Sequence, residues 1–329
     1  DYGMANSSAA MPPQPEPQGS ASPAAEAGTP GFACQFDPDF AYRASQQVLP
    51  LLERYFRVRY EGLAHLADLP PFLAVGIHGG GMLTPDSYIW AAKYHSMRRK
   101  PHLLTLSHNL IASYAEQPVG RFLAKGGMIR AGFDSALAAL QAGYAVTVYP
   151  GGDNDPYRNF SQRHTVNFHG RRGYIRLALQ AGVPILPWVS TGAHETIIVL
   201  WDGAPLARFL QLDRRMKVHS LPLALKAPWG LDFGPLPHLP LPAQISIRLL
   251  EPIYLTGFGP EDAENERVLA AIDAEVQRRM QAALSEMGSG RIPLLGKPAE
   301  LRREQRWLLR ELRRLNLASL ASPPTAKGR

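Results

Sequence analysis

Cysteine is almost absent from this 329-residue sequence, with Cys34 the sole example. One thiol excludes an intrachain disulfide framework and a cysteine-based zinc site. A nucleophilic role for Cys34 is also disfavoured, because it borders a low-complexity stretch with no basic partner nearby. Long apolar runs are missing as well. Nowhere do about 20 apolar residues follow one another, so no spanning helix is expected. The first residues lack the basic start and apolar stretch of a secretory leader. The expectation is a cytoplasmic protein that meets membranes peripherally.

Acidic residues are outnumbered, 28 against 35 Lys and Arg, which leaves a formal charge of +7. That balance suits an anionic partner, whether nucleic acid, anionic lipid or a phosphate-bearing substrate. No nucleic-acid-binding motif accompanies it, so nucleic acid is not an expected partner. The stretch GRIPLLGKP (290–298) is no phosphate loop, since five residues separate its glycines and Pro298 follows Lys297.

Hydrophobic residues make up 45% of the chain, enough for a substantial core. Residues 1–35 are rich in Ala, Pro and Ser without apolar periodicity, and read as a disordered tail. From Phe36 the texture changes, with an amphipathic helix over 40–57 that Pro50 is expected to interrupt. Short apolar runs at 72–77, 102–107, 127–131, 144–150 and 183–189 read as strands, and 245–255 supplies one or two more. Helical patterns separate them at 84–95, 118–125, 133–143 and 171–182, the last two closed by glycines. Thr84 reads as the N-cap of the 84–95 helix, with Pro85 at its first position. A further helix covers 268–284. This alternation predicts an α/β fold: one domain over 36–290 with a mostly parallel central sheet flanked by helices. Beyond it, 291–329 reads as a basic amphipathic C-terminal helix (300–316) and a tail. The mixed basic and apolar segment 206–230 reads as a lid or membrane-facing segment.

The most informative stretch is GIHGGGMLTPD (76–86). A buried strand delivers His78 at its carboxyl end, where ligands sit in open α/β sheets. Gly79, Gly80 and Gly81 then permit a tight turn and close approach of backbone N–H groups to a substrate. A neutral imidazole can take a proton from an alcohol while such N–H groups hold an oxyanion. Asp86 can fix the imidazole tautomer, although an acid in a first helical turn is also favoured by the helix dipole alone. Pro150–Gly151–Gly152 after the buried strand at 144–150 suggests a second turn at the same edge, a candidate anion or carbonyl nest. The 151–170 loop that follows is long, polar and aromatic, as functional loops often are.

Four blocks in order resemble the glycerolipid and lysophospholipid acyltransferase superfamily, in particular the branch of monoacylglycerol and diacylglycerol acyltransferases. His78, Gly80, Gly81 and Asp86 match the His–Asp block, and Gly127 with Arg130 the second. YPGGD (149–153) matches the third, and RRGYIRLALQAGVPILPWVSTGAHE (171–195) the fourth. The resemblance covers about 36–290 and implies an acyltransferase-like fold. It implies direct transfer from acyl-CoA or another acyl thioester to a lipid alcohol, with no cofactor and no metal, at a membrane surface. It implies His78 as general base and a substrate site drawn from Gly79, Gly80, Gly81, Arg130, Pro150, Gly151, Gly152, Asp153 and Arg171.

The sequence departs from the common pattern twice. Seven residues separate His78 from Asp86 rather than four, which makes Glu195 a reserve partner for the imidazole. The phosphate-binding Glu-Gly-Thr-Arg element is replaced by Pro150–Asp153, so no matched arginine binds an acceptor phosphate. Arg158, Arg163, Arg171 and Arg172 are candidates to stand in. The acceptor that the resemblance implies is therefore a glycerolipid or lysophospholipid hydroxyl, with neutral mono- or diacylglycerol as the alternative. Two readings from other classes stand beside it. One is an esterase using His-Gly-Gly-Gly as its oxyanion hole, which the absent Gly-x-Ser-x-Gly disfavours. The other is a non-enzymatic binder of anionic surfaces.

Overall fold

The structure, a computed structural model, describes residues 35–107, 117–211, 220–234 and 238–300, with the backbone alone at 153 and 300. Cys34, nearly all of the expected N-terminal tail, the C-terminal helix beyond residue 300 and residues 212–219 lie outside the described residues.

A seven-stranded sheet runs through the molecule in the order β1-β10-β6-β2-β5-β3-β4. Its strands are β1 (Arg59–Glu61), β2 (Leu73–Gly76), β3 (Leu103–Ser107), β4 (Met128–Arg130), β5 (Ala145–Val148), β6 (Ile185–Thr191) and β10 (Ser246–Leu249). The five from β6 to β4 are mutually parallel, and β10 joins β6 antiparallel. The sequence expectation of a mostly parallel sheet holds. Strands β2 and β5 are buried along their whole length, which explains why they read as continuous apolar runs rather than alternating ones.

Helices cover both faces. On one side α1 (Pro38–Tyr55) and α2 (Pro85–Ser96) enclose Phe56, Phe72, Ile89, Trp90, Tyr94 and Trp188. On the other, α4 (Phe133–Gln141), α5 (Gly173–Ala181) and the long α7 (Glu266–Gly288) bury a larger cluster around Val75, Val146, Ile175 and Val276. Helix α3 (Pro118–Lys125) leads into β4. Asp37 caps α1 by accepting from the Phe40 amide at 2.9 Å, and Asn265 caps α7. Pro50 does not interrupt α1. It falls on the exposed side, as does Gln46, so the carbonyl it leaves without a donor can be hydrated.

A second, three-stranded antiparallel sheet was not legible in the sequence: β7 (Ile198–Trp201), β8 (Leu223–Lys226) and β9 (Gly230–Phe233), with the short α6 (Ala204–Phe209) after β7. The segment read as a lid, 206–230, supplies β8 and the first residue of β9 to it. Just past 290, Arg291 is buried against the domain and ion-paired to Glu195 at 2.9 Å.

Candidate active site

The carboxyl ends of adjacent parallel strands β2 and β5 bring His78 and Tyr149 together. Their rings stack with centroids 4.4 Å apart and 14° between planes. His78 is mostly enclosed, its side chain 14% exposed, and Nδ1 is fully buried. That burial leaves the Nε2 edge as the side of the ring available to the adjoining cavity.

The carboxylate facing Nδ1 is neither of the two expected ones. Asp155 Oδ2 lies 3.7 Å from His78 Nδ1, and neither atom has another hydrogen-bond partner among the described residues. This is longer than a hydrogen bond, as catalytic contacts often are without substrate. The other oxygen, Oδ1, accepts from Arg158 Nη2, and Arg158 also donates to the Thr165 carbonyl. Asp155 is fully buried. Burial opposes its charge, but His78, Arg158 and His194 together outweigh burial and hold its carboxyl below the usual range. His194 lies against the backbone of the same residue, its Nε2 2.9 Å from the Asp155 carbonyl. Burial, with Arg158 nearby, lowers the His194 pKa to about 4, so the ring is neutral at pH 7 and donates from Nε2.

Asp86 sits one layer away. It is buried and accepts from the Gly79 amide at 3.2 Å, the Ser87 amide at 3.0 Å and Ser190 Oγ at 2.5 Å. Burial raises its pKa to about 6 against the opposing pull of Ser190, His78 and the two amides. It braces the turn that carries His78. Thr84 precedes α2 as expected but makes no side-chain cap bond, because its backbone is left-handed at φ 32°. Such strain in a threonine survives only where its surroundings enforce it.

Glu195, the reserve partner expected for the imidazole, is engaged elsewhere. Both its oxygens are bonded to Arg291, and Oε2 also accepts from the Leu294 amide at 2.7 Å. It fastens the turn after α7.

The glycines are required by packing. A Cβ at Gly80 would lie 2.5 Å from Pro85 Cδ and 2.6 Å from Thr196 Oγ1, at a backbone φ of 95°. Gly79 leaves room for the His194 ring, which a Cβ would meet at 2.5 Å. Two of the amides expected to hold an oxyanion have other partners: Gly79 N–H donates to Asp86, and Gly81 N–H to the Pro156 carbonyl at 3.0 Å. The second turn is organised the same way. The Gly152 amide donates to the Tyr149 carbonyl, while the Pro150 and Gly151 carbonyls accept from Arg171 Nη1 at 3.3 and 2.9 Å. Asp153 lies on the 3-10 turn Gly152–Asn154, and its side chain is outside the described set.

A cavity of about 400 Å³ opens at His78. Leu106, Phe133, Ala136, Val148 and Leu177 give it apolar walls, and Tyr149, Pro150, Gly152 and Arg171 complete the side beside the imidazole. Gly132 and Gly173, at the starts of α4 and α5, also line it. Of the four arginines considered for an acceptor phosphate, Arg171 alone lines this cavity. Arg158 is taken by Asp155, Arg163 stacks on Phe160, and Arg172 pairs with Glu266 at 3.0 Å. Arg130 ends β4 at the same sheet edge but does not line the cavity. Sequence reasoning missed Asp155, His194 and Tyr149. Asp155 had a weak signal, being one of two aspartates in GGDND, and the turn at 152–154 leads it to the buried side of the imidazole.

Residues 42–256 match the family model described as diacylglycerol acyltransferase. An uncharacterized protein of Mycobacterium leprae is 28% identical over 259 residues, covering 78% of this chain and 67% of that protein. An uncharacterized protein of Mycobacterium tuberculosis is 26% identical over 78% of this chain and 69% of its own length. The chicken "DGAT1/2-independent enzyme synthesizing storage lipids" is 23% identical over 59% of this chain and 56% of that enzyme. The crystal structure of the 1-acyl-sn-glycerophosphate acyltransferase PlsC from Thermotoga maritima aligns at 14% identity with a TM-score of 0.41, over 73% of this chain and 82% of that one. Since the family match spans more than half of its length, the chain belongs to the diacylglycerol acyltransferase family and is an acyltransferase of glycerolipid metabolism.

Proposed function

We propose that this family member transfers an acyl group from acyl-CoA directly to a glycerolipid hydroxyl, with His78 as general base and Asp155 as the carboxylate that orients it. The acceptor hydroxyl gives its proton to His78 Nε2 as its oxygen attacks the thioester carbonyl. The carbon–sulfur bond then breaks, and His78 returns the proton to the departing thiolate. No acyl-enzyme is needed. Asp155 favours the Nδ1–H tautomer, which leaves Nε2 unprotonated as the base, and it stabilises the imidazolium that forms. Asp86, Ser190 and the Gly79 amide hold the strand end rigid beneath it.

The observation that carries this reading is the alignment of buried Asp155 Oδ2 with His78 Nδ1 at the mouth of an apolar cavity. General-base assistance is worth about 10²–10⁴-fold in rate. A neutral acceptor, mono- or diacylglycerol, is favoured by the lining: among the described residues Arg171 is its one permanent charge, and that guanidinium already donates to two carbonyls. The acyl chains are presented from a membrane surface that the protein meets peripherally. Among the described residues no helix is long and apolar enough to cross a membrane.

The test incubates purified protein with acyl-CoA and separate acceptors: monoacylglycerol, diacylglycerol, lysophosphatidic acid and glycerol. Released thiol is followed by colorimetry and product by mass spectrometry. The reading expects thiol release coupled to acylation of a neutral glyceride, abolished in His78→Ala. Absence of transfer to every acceptor would overturn it.

A further inference from the structure

The outer face of the small β7–β9 sheet lacks the polar residues that a solvated sheet face normally carries. Its register places Ile198, Leu225 and Leu231 in one cross-strand row and Trp201, Leu223 and Phe233 in the next. Directly opposed residues share a face, so this surface is apolar throughout. Leu231 is 62% exposed and its neighbours Leu225 and Phe233 are more than 40% exposed. Trp229 at the β8–β9 turn and Phe209 at the end of α6 are exposed as well, at 58% and 82%. The only charged residues of these three strands, Lys226 and Asp232, lie on the inner side and pair with each other at 2.7 Å.

We propose that this sheet face docks the enzyme onto a lipid surface bearing anionic headgroups, with Leu225, Leu231 and Phe233 entering the acyl region and Trp201 and Trp229 at headgroup level. Contiguous exposed apolar surface of this kind marks an interaction site, and tryptophan suits the boundary between headgroups and chains. Charge selects the occupant. The chain carries +7, which attracts an anionic bilayer and repels a second copy of the chain. Position agrees with it: the loop that walls the cavity at Pro150 and Gly152 carries Asn159, whose Nδ2 donates to the Leu200 carbonyl on β7 at 2.6 Å. The docking face and the His78 cavity are thus held by one loop. A lipid acceptor leaving the bilayer would reach the cavity along it, and that last point rests on the function proposed above.

The experiment sediments the full chain with phosphatidylcholine vesicles containing or lacking phosphatidylglycerol. Wild type is expected to bind the anionic vesicles, and Leu231→Glu/Phe233→Glu to bind roughly tenfold more weakly or less. Leu51→Glu, on the exposed side of α1, is the control and should bind within about twofold of wild type. The double variant should keep wild-type turnover of a short-chain, water-soluble acceptor, so loss of docking and loss of chemistry are read separately. Undiminished vesicle binding by the double variant would overturn the proposal. So would a wild-type dimer, seen by light scattering, that the double variant converts to monomer. Should the double variant fail to fold, brominated-lipid quenching of wild-type emission is compared with Trp229→Phe. Quenching of the Trp229 contribution supports the proposal, and its absence refutes it.

Discussion

Replacing Asp86 with asparagine should stabilise this protein, and by a margin that widens as pH rises. Asp86 is fully buried and its pKa is raised from 3.8 to about 6, burial being the largest cause. For a carboxyl raised on folding, the native state holds the proton more tightly than the unfolded chain does. The associated stability is present below the unfolded value and is lost as pH climbs through about 6. Between pH 4.5 and pH 8 that loss amounts to roughly 2 kcal/mol. Asparagine has no such dependence. Its Oδ1 can still accept from the Gly79 and Ser87 amides, and its Nδ2 can donate to Ser190 Oγ, where Asp86 now accepts at 2.5 Å. Urea unfolding of both proteins at pH 4.5, 6 and 8 gives the comparison. The variant's stability relative to wild type should rise by roughly 2 kcal/mol across that range. A difference that stays constant, or narrows toward pH 8, would refute the reasoning.

Glu195→Gln leaves the Arg291 guanidinium buried opposite a neutral group, and breaking such a pair costs about 3–5 kcal/mol. Urea unfolding should show that loss, while kcat of the folded protein stays within about threefold of wild type, because Glu195 does not touch His78. Gly80→Ala combines a left-handed backbone, costing about 1–2 kcal/mol, with a Cβ 2.5 Å from Pro85 Cδ. It should therefore lower both stability and turnover, which the same unfolding assay and the thiol-release assay would read.

Much of this molecule was legible in the sequence because its central strands are buried on both faces. FLAVGI, YAVTVYP and VPILPWV stand out as apolar runs, and proline and glycine mark where helices begin and end. The place of His78 beside the cavity was legible for a related reason, since a strand end followed by three glycines is chemically unusual. The small sheet was not legible: its apolar outer face and paired inner charges break the expected alternation of polar and apolar residues. The partner of His78 was hidden too. Asp86 and Glu195 had the right chemistry and motif positions, but one is spent on bracing amides and Ser190 and the other on Arg291. Asp155 reaches the imidazole only because the 152–154 turn, Arg158 and His194 hold it there, a tertiary arrangement with no local signature.

The pairing of Asp155 with His78 is the centre of this account, and the turnover of Asp155→Asn tests it most directly. With acyl-CoA and a neutral glyceride at saturation, kcat should fall about 10²–10⁴-fold. The KM for acyl-CoA should stay near that of wild type, since Asp155 acts through the imidazole rather than on the donor. Turnover within threefold of wild type in a folded Asp155→Asn protein would contradict the account.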